Sequence, residues 1–151
     1  HTLTHQDLTK LDKDTVYNEV FLDKQNLERM FGCQITGMAY PYGTYNDEVV
    51  QILKKCKIQY ARSVVFSGAF KLQKNLLIFK PTCHHADENI WELLEKFLKE
   101  KSEEKQLFYI WGHSYEFDVN NNWKRMEEIL DRLIGHNNIF YGTNREVLLP
   151  C

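Results

Sequence analysis

Several things are scarce in this sequence, and each shortage removes a class of protein. Cysteine is sparse: Cys33, Cys56, Cys83 and Cys151 show no C-x-x-C spacing. Four such residues are too few for a disulfide scaffold, and they read as free thiols. Charge of one sign is missing too. Lys plus Arg number 19 and Asp plus Glu 21, for a net charge of -2. That balance gives no electrostatic reason to expect nucleic acid or an anionic membrane as partner. No apolar run approaches the roughly 20 residues of a membrane span. No signal peptide is present, and because the sequence starts at His rather than Met, an upstream part is expected to have been removed. There is no repeat and no low-complexity linker. What remains is 151 residues, 43% hydrophobic and 26% charged, the profile of one soluble globular domain spanning 1–151.

Apolar spacing predicts a helix over 14–31, with Val16, Val20, Leu27 and Met30 near helical period and Gly32 as its C-cap. "QITGMAYP" is strand-like and stops at Pro41. A second helix follows "YGTYN", with Asn46 as N-cap and Glu48 in the first turn. "KIQYARSVV" reads as a strand and "NLLIFKP" as a short apolar run. Further along come a helix over 87–101, a buried strand in "QLFYIWGH", a helix over 121–135, a strand in "NIFYGT" and a last turn in "NREVLL". Strands alternating with helices predict an α/β fold with a mainly parallel sheet, whose chemistry sits at the C-terminal strand ends.

Four segments sit where such chemistry is expected. "HTLTH" places His1 and His5 four apart, a spacing that a helical turn or a strand-to-helix bend brings together, and neutral imidazole is a common zinc ligand. "AYPYGTYN" reads either as a strand ending in a turn or as a rigid loop that aims a backbone N–H at a developing oxyanion. "YIWGHSYEFD" delivers His113 to a glycine-opened bend beside Trp111, Tyr115 and Glu116, a setting for an acid–base residue. "PTCHHAD" gathers Cys83, His84 and His85. In an extended segment neighbours point opposite ways, so the three are not expected to face one ion together; a cleft-lining role suits them better.

In this order the segments resemble the polysaccharide deacetylase family, the NodB-homology carbohydrate N-deacetylases. The resemblance implies a distorted (β/α) barrel, incomplete here at its N-terminus. "HTLTH" is similar to the family's His-Ser/Thr-x-x-His motif and makes His1 and His5 metal ligands, with Thr2 supporting them. Ala39-Tyr40-Pro41-Tyr42-Gly43 is similar to the next motif. It implies that the Tyr42 N–H binds the oxyanion, with Tyr40 and Pro41 among the substrate-binding residues. The arginine usual there is Ala39 in this chain, and Arg62, ending a neighbouring strand, is the candidate substitute. Trp111-Gly112-His113 is similar to the last motif, with His113 as general acid and Trp111 walling the acetyl pocket. "HHADENIW" stands where the family's Asp-rich motif is expected, which puts His84 in the substrate cleft and leaves the partner of His113 unassigned. The Thr-Phe-Asp-Asp motif, source of the catalytic base and third metal ligand, is expected upstream of His1.

The implied activity is metal-dependent hydrolysis of N-acetyl groups on amino-sugar polymers or glycans, with zinc as the expected ion and cobalt or nickel as substitutes. This chain alone is expected to be nearly inactive. The implied location is the cell envelope or outside the cell. Unpaired sheet edges make a homo-oligomer conceivable. One rival reading is a catalytically dead, carbohydrate-binding remnant of the same fold. Another is a copper site in which the His1 α-amine and ring chelate the ion together with His5.

Overall fold

A computed structural model describes residues 1–149; the fourth expected free thiol, Cys151, lies outside them. The architecture is mixed α/β, built on parallel pairing, as the alternation of elements predicts. Where the sequence reads as one domain, the chain divides between two compact units. The first takes His1–Val65, Gln73–Lys80 and the stretch from Gly142; the second takes Phe66–Leu72 and Pro81–Tyr141.

In the first unit, α1 (Lys13–Phe31) is started by Asp12, whose carboxylate accepts from the N–H groups of Asp14 and Thr15, and is ended by Gly32 at φ 63. Gly32 adopts this left-handed geometry without a Cβ penalty, and its N–H returns to the Glu28 carbonyl. Val16 and Val20 are buried as the spacing predicts, whereas Met30 is 74% exposed. The packing partner is α2 (Asp47–Lys55). A helix rises about 1.5 Å per residue, so the longer α1 outruns α2 by roughly 15 Å, and Met30 belongs to the overhang. Asn46 caps α2 as expected, accepting from Val49 N–H at 2.9 Å.

Strand β1 (Gly37–Ala39) pairs in parallel with β2 (Tyr60–Arg62), and Ala39 stands beside Arg62. The predicted run 75–81 becomes a 3₁₀ turn, Leu76–Ile78, followed by Phe79, which bridges to Arg62 in parallel. The core of this unit is Leu8, Val16, Val49, Leu53, Ala61 and Leu77 with their neighbours. The C-terminal helix of the chain, Asn144–Leu148, opens on a capping box between Thr143 and Glu146.

In the second unit, β3 (Cys83–His84) pairs in parallel with β4 (Ile110–Trp111). Helix α3 (Ile90–Lys99) buries Ile90 and Leu94 against Cys83 and Ile129. The helix predicted over 121–135 starts later, as α5 (Trp123–Leu133), behind a short α4 (Tyr115–Val119); Asn121 at φ 48 turns the chain between them. "NIFYGT" forms no strand. Among the described residues the sheets are two parallel pairs, and no helix is long and apolar enough to cross a membrane.

Candidate functional site

The first group of candidate residues forms within the first unit. Thr2 and His5 both adopt left-handed φ, 61 and 57. These two turns fold "HTLTH" back on itself, so the His1 and His5 rings meet edge to face with centroids 5.0 Å apart. Support comes through Thr4: its N–H and hydroxyl donate to the Glu19 carboxylate of α1 at 2.9 and 2.7 Å, and Leu3 N–H donates to the Glu19 carbonyl. Burial pushes the Glu19 carboxyl up, but these bonds outweigh it and hold the group below its ordinary range.

Beyond the pair, the His5 ring contacts Tyr42 at 4.9 Å. Tyr42 sits at φ 56 between Pro41 and Gly43, in a turn closed by Gly43 N–H to the Tyr40 carbonyl and Thr44 N–H to the Pro41 carbonyl. Its side chain is exposed. Tyr40 and Pro41 are fully buried, which corrects their expected contact with substrate. The Tyr40 hydroxyl donates to the Leu77 carbonyl at 2.7 Å, and its ring stacks on Tyr45, so both residues set the turn from inside the core. Arg62 is the register partner of Ala39. Partners on parallel strands present side chains to the same face, so Arg62 stands beside the position where the resemblance expects an arginine.

The second group forms within the second unit. β3 ends at His84, so strand alternation does not extend to His85, and both imidazoles turn the same way, with centroids 4.2 Å apart. Cys83 stays in the core, so the three do not face one point together, as expected; the two histidines do, because the strand ends between them. Glu116, early in α4, faces three imidazoles. Its Oε1 lies 2.6 Å from His113 Nδ1, and its Oε2 lies 2.9 Å from His85 Nε2 and 3.3 Å from His84 Nε2. Burial raises the Glu116 carboxyl, yet the hydrogen bond from His113 and the charges of the other two rings bring it below its ordinary range. Burial, followed by the neighbouring His85, holds the His84 ring below its usual value.

Trp111 packs edge-on to His84 at 4.5 Å, and His113 stacks on Tyr115 at 5.3 Å. Arg125 of α5 fixes the loop after β3 by donating to the His85 and Asp87 carbonyls at 2.9 and 2.7 Å. Gly112, at φ 154, has no room for a side chain: a Cβ there would lie 1.9 Å from His85 Cδ2.

Two kinds of donor set emerge. His1 and His5 offer two imidazoles that suit a zinc-type ion but fall short of the three protein donors of a catalytic zinc site. His84, His85 and Glu116 offer three donors within 4.8 Å of one another, the single such cluster among the described residues. The sequence sets Glu116 beside His113 but does not show it among metal donors, although it lies three residues beyond His113, the spacing at which one helical turn brings side chains together.

Residues 1–61 match the family model for polysaccharide deacetylase. Among solved structures, the deacetylase PplD of Streptococcus pyogenes, in complex with acetate, is 27% identical over 44% of this chain and 30% of that one, with a TM-score of 0.44. A Bacillus anthracis protein, BA0330, described as a polysaccharide deacetylase, is 33% identical over 44% of this chain and 20% of that one, with a TM-score of 0.41. The chain therefore spans less than a third of the length of either. A comparison with curated proteins gave no match. The likeness to the polysaccharide deacetylase family thus rests on residues 1–61 of the 151.

Proposed function

We propose that this chain carries catalytic residues of a metal-dependent carbohydrate N-deacetylase, with the family's distorted (β/α) barrel as the complete fold and N-acetylated amino-sugar glycans of the cell envelope or exterior as substrate. The observation that carries the proposal is the gathering of His1, His5 and Tyr42, with ring centroids 5.0 and 4.9 Å apart. His1 and His5 would hold a divalent ion of the zinc class, which when bound supplies carbonyl polarisation and an acidified water. The Tyr42 N–H stabilises the oxyanion of the tetrahedral intermediate. Arg62, beside Ala39, orients the catalytic carboxylate. His113 donates a proton to the leaving amine. With Glu116 accepting at Nδ1, the proton delivered is the one on Nε2. Trp111 and His84 line the acetyl-binding side.

The base and the third metal donor come from outside these 151 residues, so the chain alone is nearly inactive. General base catalysis contributes about 10²–10⁴-fold, and weak metal retention compounds its loss. Acetate release from N-acetylated chito-oligosaccharides, with zinc or cobalt added, tests this. The protein extended by its upstream coding segment is expected to release acetate, and its His113→Ala form to lose kcat far more than it gains in KM. No release by the extended protein would favour a carbohydrate-binding remnant. Equal rates with and without the extension would place the base inside the chain.

A further inference from the structure

We infer that His84, His85 and Glu116 form a second divalent-cation site, of the zinc class, built within the second unit and using neither His1 nor His5. The inference rests on geometry and does not require the deacetylase reading. Zinc binds imidazole and carboxylate at about 2.0–2.1 Å, so two donors on one tetrahedral ion lie about 3.3 Å apart, and two at a right angle about 2.9 Å. The observed separations from Glu116 Oε2 are 3.3 Å to His84 Nε2 and 2.9 Å to His85 Nε2. Each imidazole is thus spaced from the carboxylate oxygen as a neighbour on one coordination shell, and all three donors lie within 4.8 Å of one another.

A second observation comes from His85 itself. It is 1% exposed, yet neither ring nitrogen has a hydrogen-bond partner. Its Nε2 is close to the carboxylate but is not aligned to donate to it. Burying an imidazole with both nitrogens unsatisfied is costly. A cation shared with Glu116 satisfies Nε2 without a linear N–H···O bond. His84 joins through Nε2. Its Nδ1 accepts the Ala86 N–H at 3.1 Å, and coordination moves the ring proton to Nδ1 and gives up that one exposed bond.

The surroundings suit a bound ion. Glu116 keeps Oε1 for His113, so the ligating carboxylate is itself held by a hydrogen bond, as metal ligands usually are. Arg125 fixes the His85 carbonyl. Cys83 is not a ligand: burial pushes its thiol up to about 12, and it lies in the core. Two imidazoles with one carboxylate select zinc, cobalt or nickel over calcium or magnesium.

The test uses zinc and cobalt alone, on the full chain. A His1→Ala/His5→Ala protein still binds one zinc per chain by calorimetry, and cobalt gives the visible absorption of a low-symmetry, four- or five-coordinate ion. Adding His85→Phe, which keeps the buried ring, or Glu116→Gln, at the partly exposed member, weakens binding by at least about 10–100-fold. Tryptophan fluorescence confirms that each variant is folded, and Glu116→Gln serves alone if His85→Phe is not. The site is refuted if the double alanine protein takes up no zinc, or if Glu116→Gln binds as tightly as its parent. Zinc lost only on changing His1 and His5 would refute this site and leave the deacetylase reading intact.

Discussion

Replacing Gly112 by alanine measures how tightly the three-imidazole cluster is built. A Cβ at this position would meet His85 Cδ2 at 1.9 Å and His85 Nε2 at 2.6 Å. Ordinary carbon–carbon contact is about 3.5 Å, so the His85 ring or the 112 backbone must move by roughly 1.5 Å. His85 has little freedom to give way, being buried against Phe117, with its carbonyl held by Arg125. Overpacking of this kind costs about 1–3 kcal/mol, and a non-glycine residue at such a φ costs about 1–3 kcal/mol more. The sum is about 2–6 kcal/mol. Gly135 is the control: it also has positive φ, 80, but nothing lies within 4 Å of its virtual Cβ, so Gly135→Ala should cost only the backbone strain, about 1–2 kcal/mol.

The assay follows from where the tryptophans are. Trp91, Trp111 and Trp123 are the three in the sequence, and all belong to the second unit. Urea unfolding followed by tryptophan fluorescence therefore reports that unit. With a denaturant slope of about 1–1.5 kcal/mol/M, a loss of 3 kcal/mol lowers the midpoint by about 2–3 M. A double-mutant cycle isolates the clash: in a His85→Ala background the obstructing ring is gone, and Gly112→Ala should cost only its backbone share, a coupling of about 1–3 kcal/mol. If Gly112→Ala costs no more than Gly135→Ala, or as much with His85 removed as with it present, the packing argument fails.

In the first unit, Tyr40→Phe removes a buried hydroxyl and leaves the Leu77 carbonyl without its donor. The expected loss is about 1–3 kcal/mol, read as a drop in Tm of several degrees. A neutral outcome would mean that water reaches that carbonyl. The Asp7 carboxylate is lowered from 3.8 to about 2, chiefly by the hydroxyls of Thr9 and Thr44. Because its folded-state pKa lies below the unfolded value, its contribution is present above about pH 4 and disappears as the pH falls towards 2. Asp7→Asn should accordingly flatten the decline of Tm between pH 4 and 2 and leave the rest of the profile alone; an unchanged acid slope would show that the bonds to Asp7 are lost in solution.

Local chemistry was legible in the sequence wherever one short segment decides the outcome. Gly32 ends α1, Asn46 caps α2, and "HTLTH" brings two imidazoles together. The parallel pairing also followed from the alternation of helix and strand. What was not legible depends on residues distant in sequence. Tyr40 and Pro41 look like an exposed rim in "AYPYG", and only Leu77, thirty-seven positions on, shows that the tyrosine is part of the core. His85 follows His84 on an apparent strand, and no pattern in "KPTCHHAD" says that the strand ends between them. Lys24 lies on the inward side of α1 and is buried, with its ammonium paired to Glu28 one turn on, so its charge hid a core position.

The division of the chain bears on how the protein is made. The polypeptide leaves the first unit after Val65, returns for Gln73–Lys80, and returns again at Gly142. Residues 1–61, the part that matches the family model, thus stop short of Leu77, which accepts from Tyr40, and of Phe79, whose N–H donates to the Ala61 carbonyl. They also stop short of Arg145, which donates to the Gln34 carbonyl across 111 positions. Closing such long loops is entropically slow. During synthesis the first unit can complete its packing only after the second has emerged from the ribosome. An expression boundary drawn at residue 61 would keep the α1–α2 packing but leave the Tyr40 hydroxyl without its acceptor and the edge of β2 unpaired, and such a fragment is expected to be less stable and prone to aggregate.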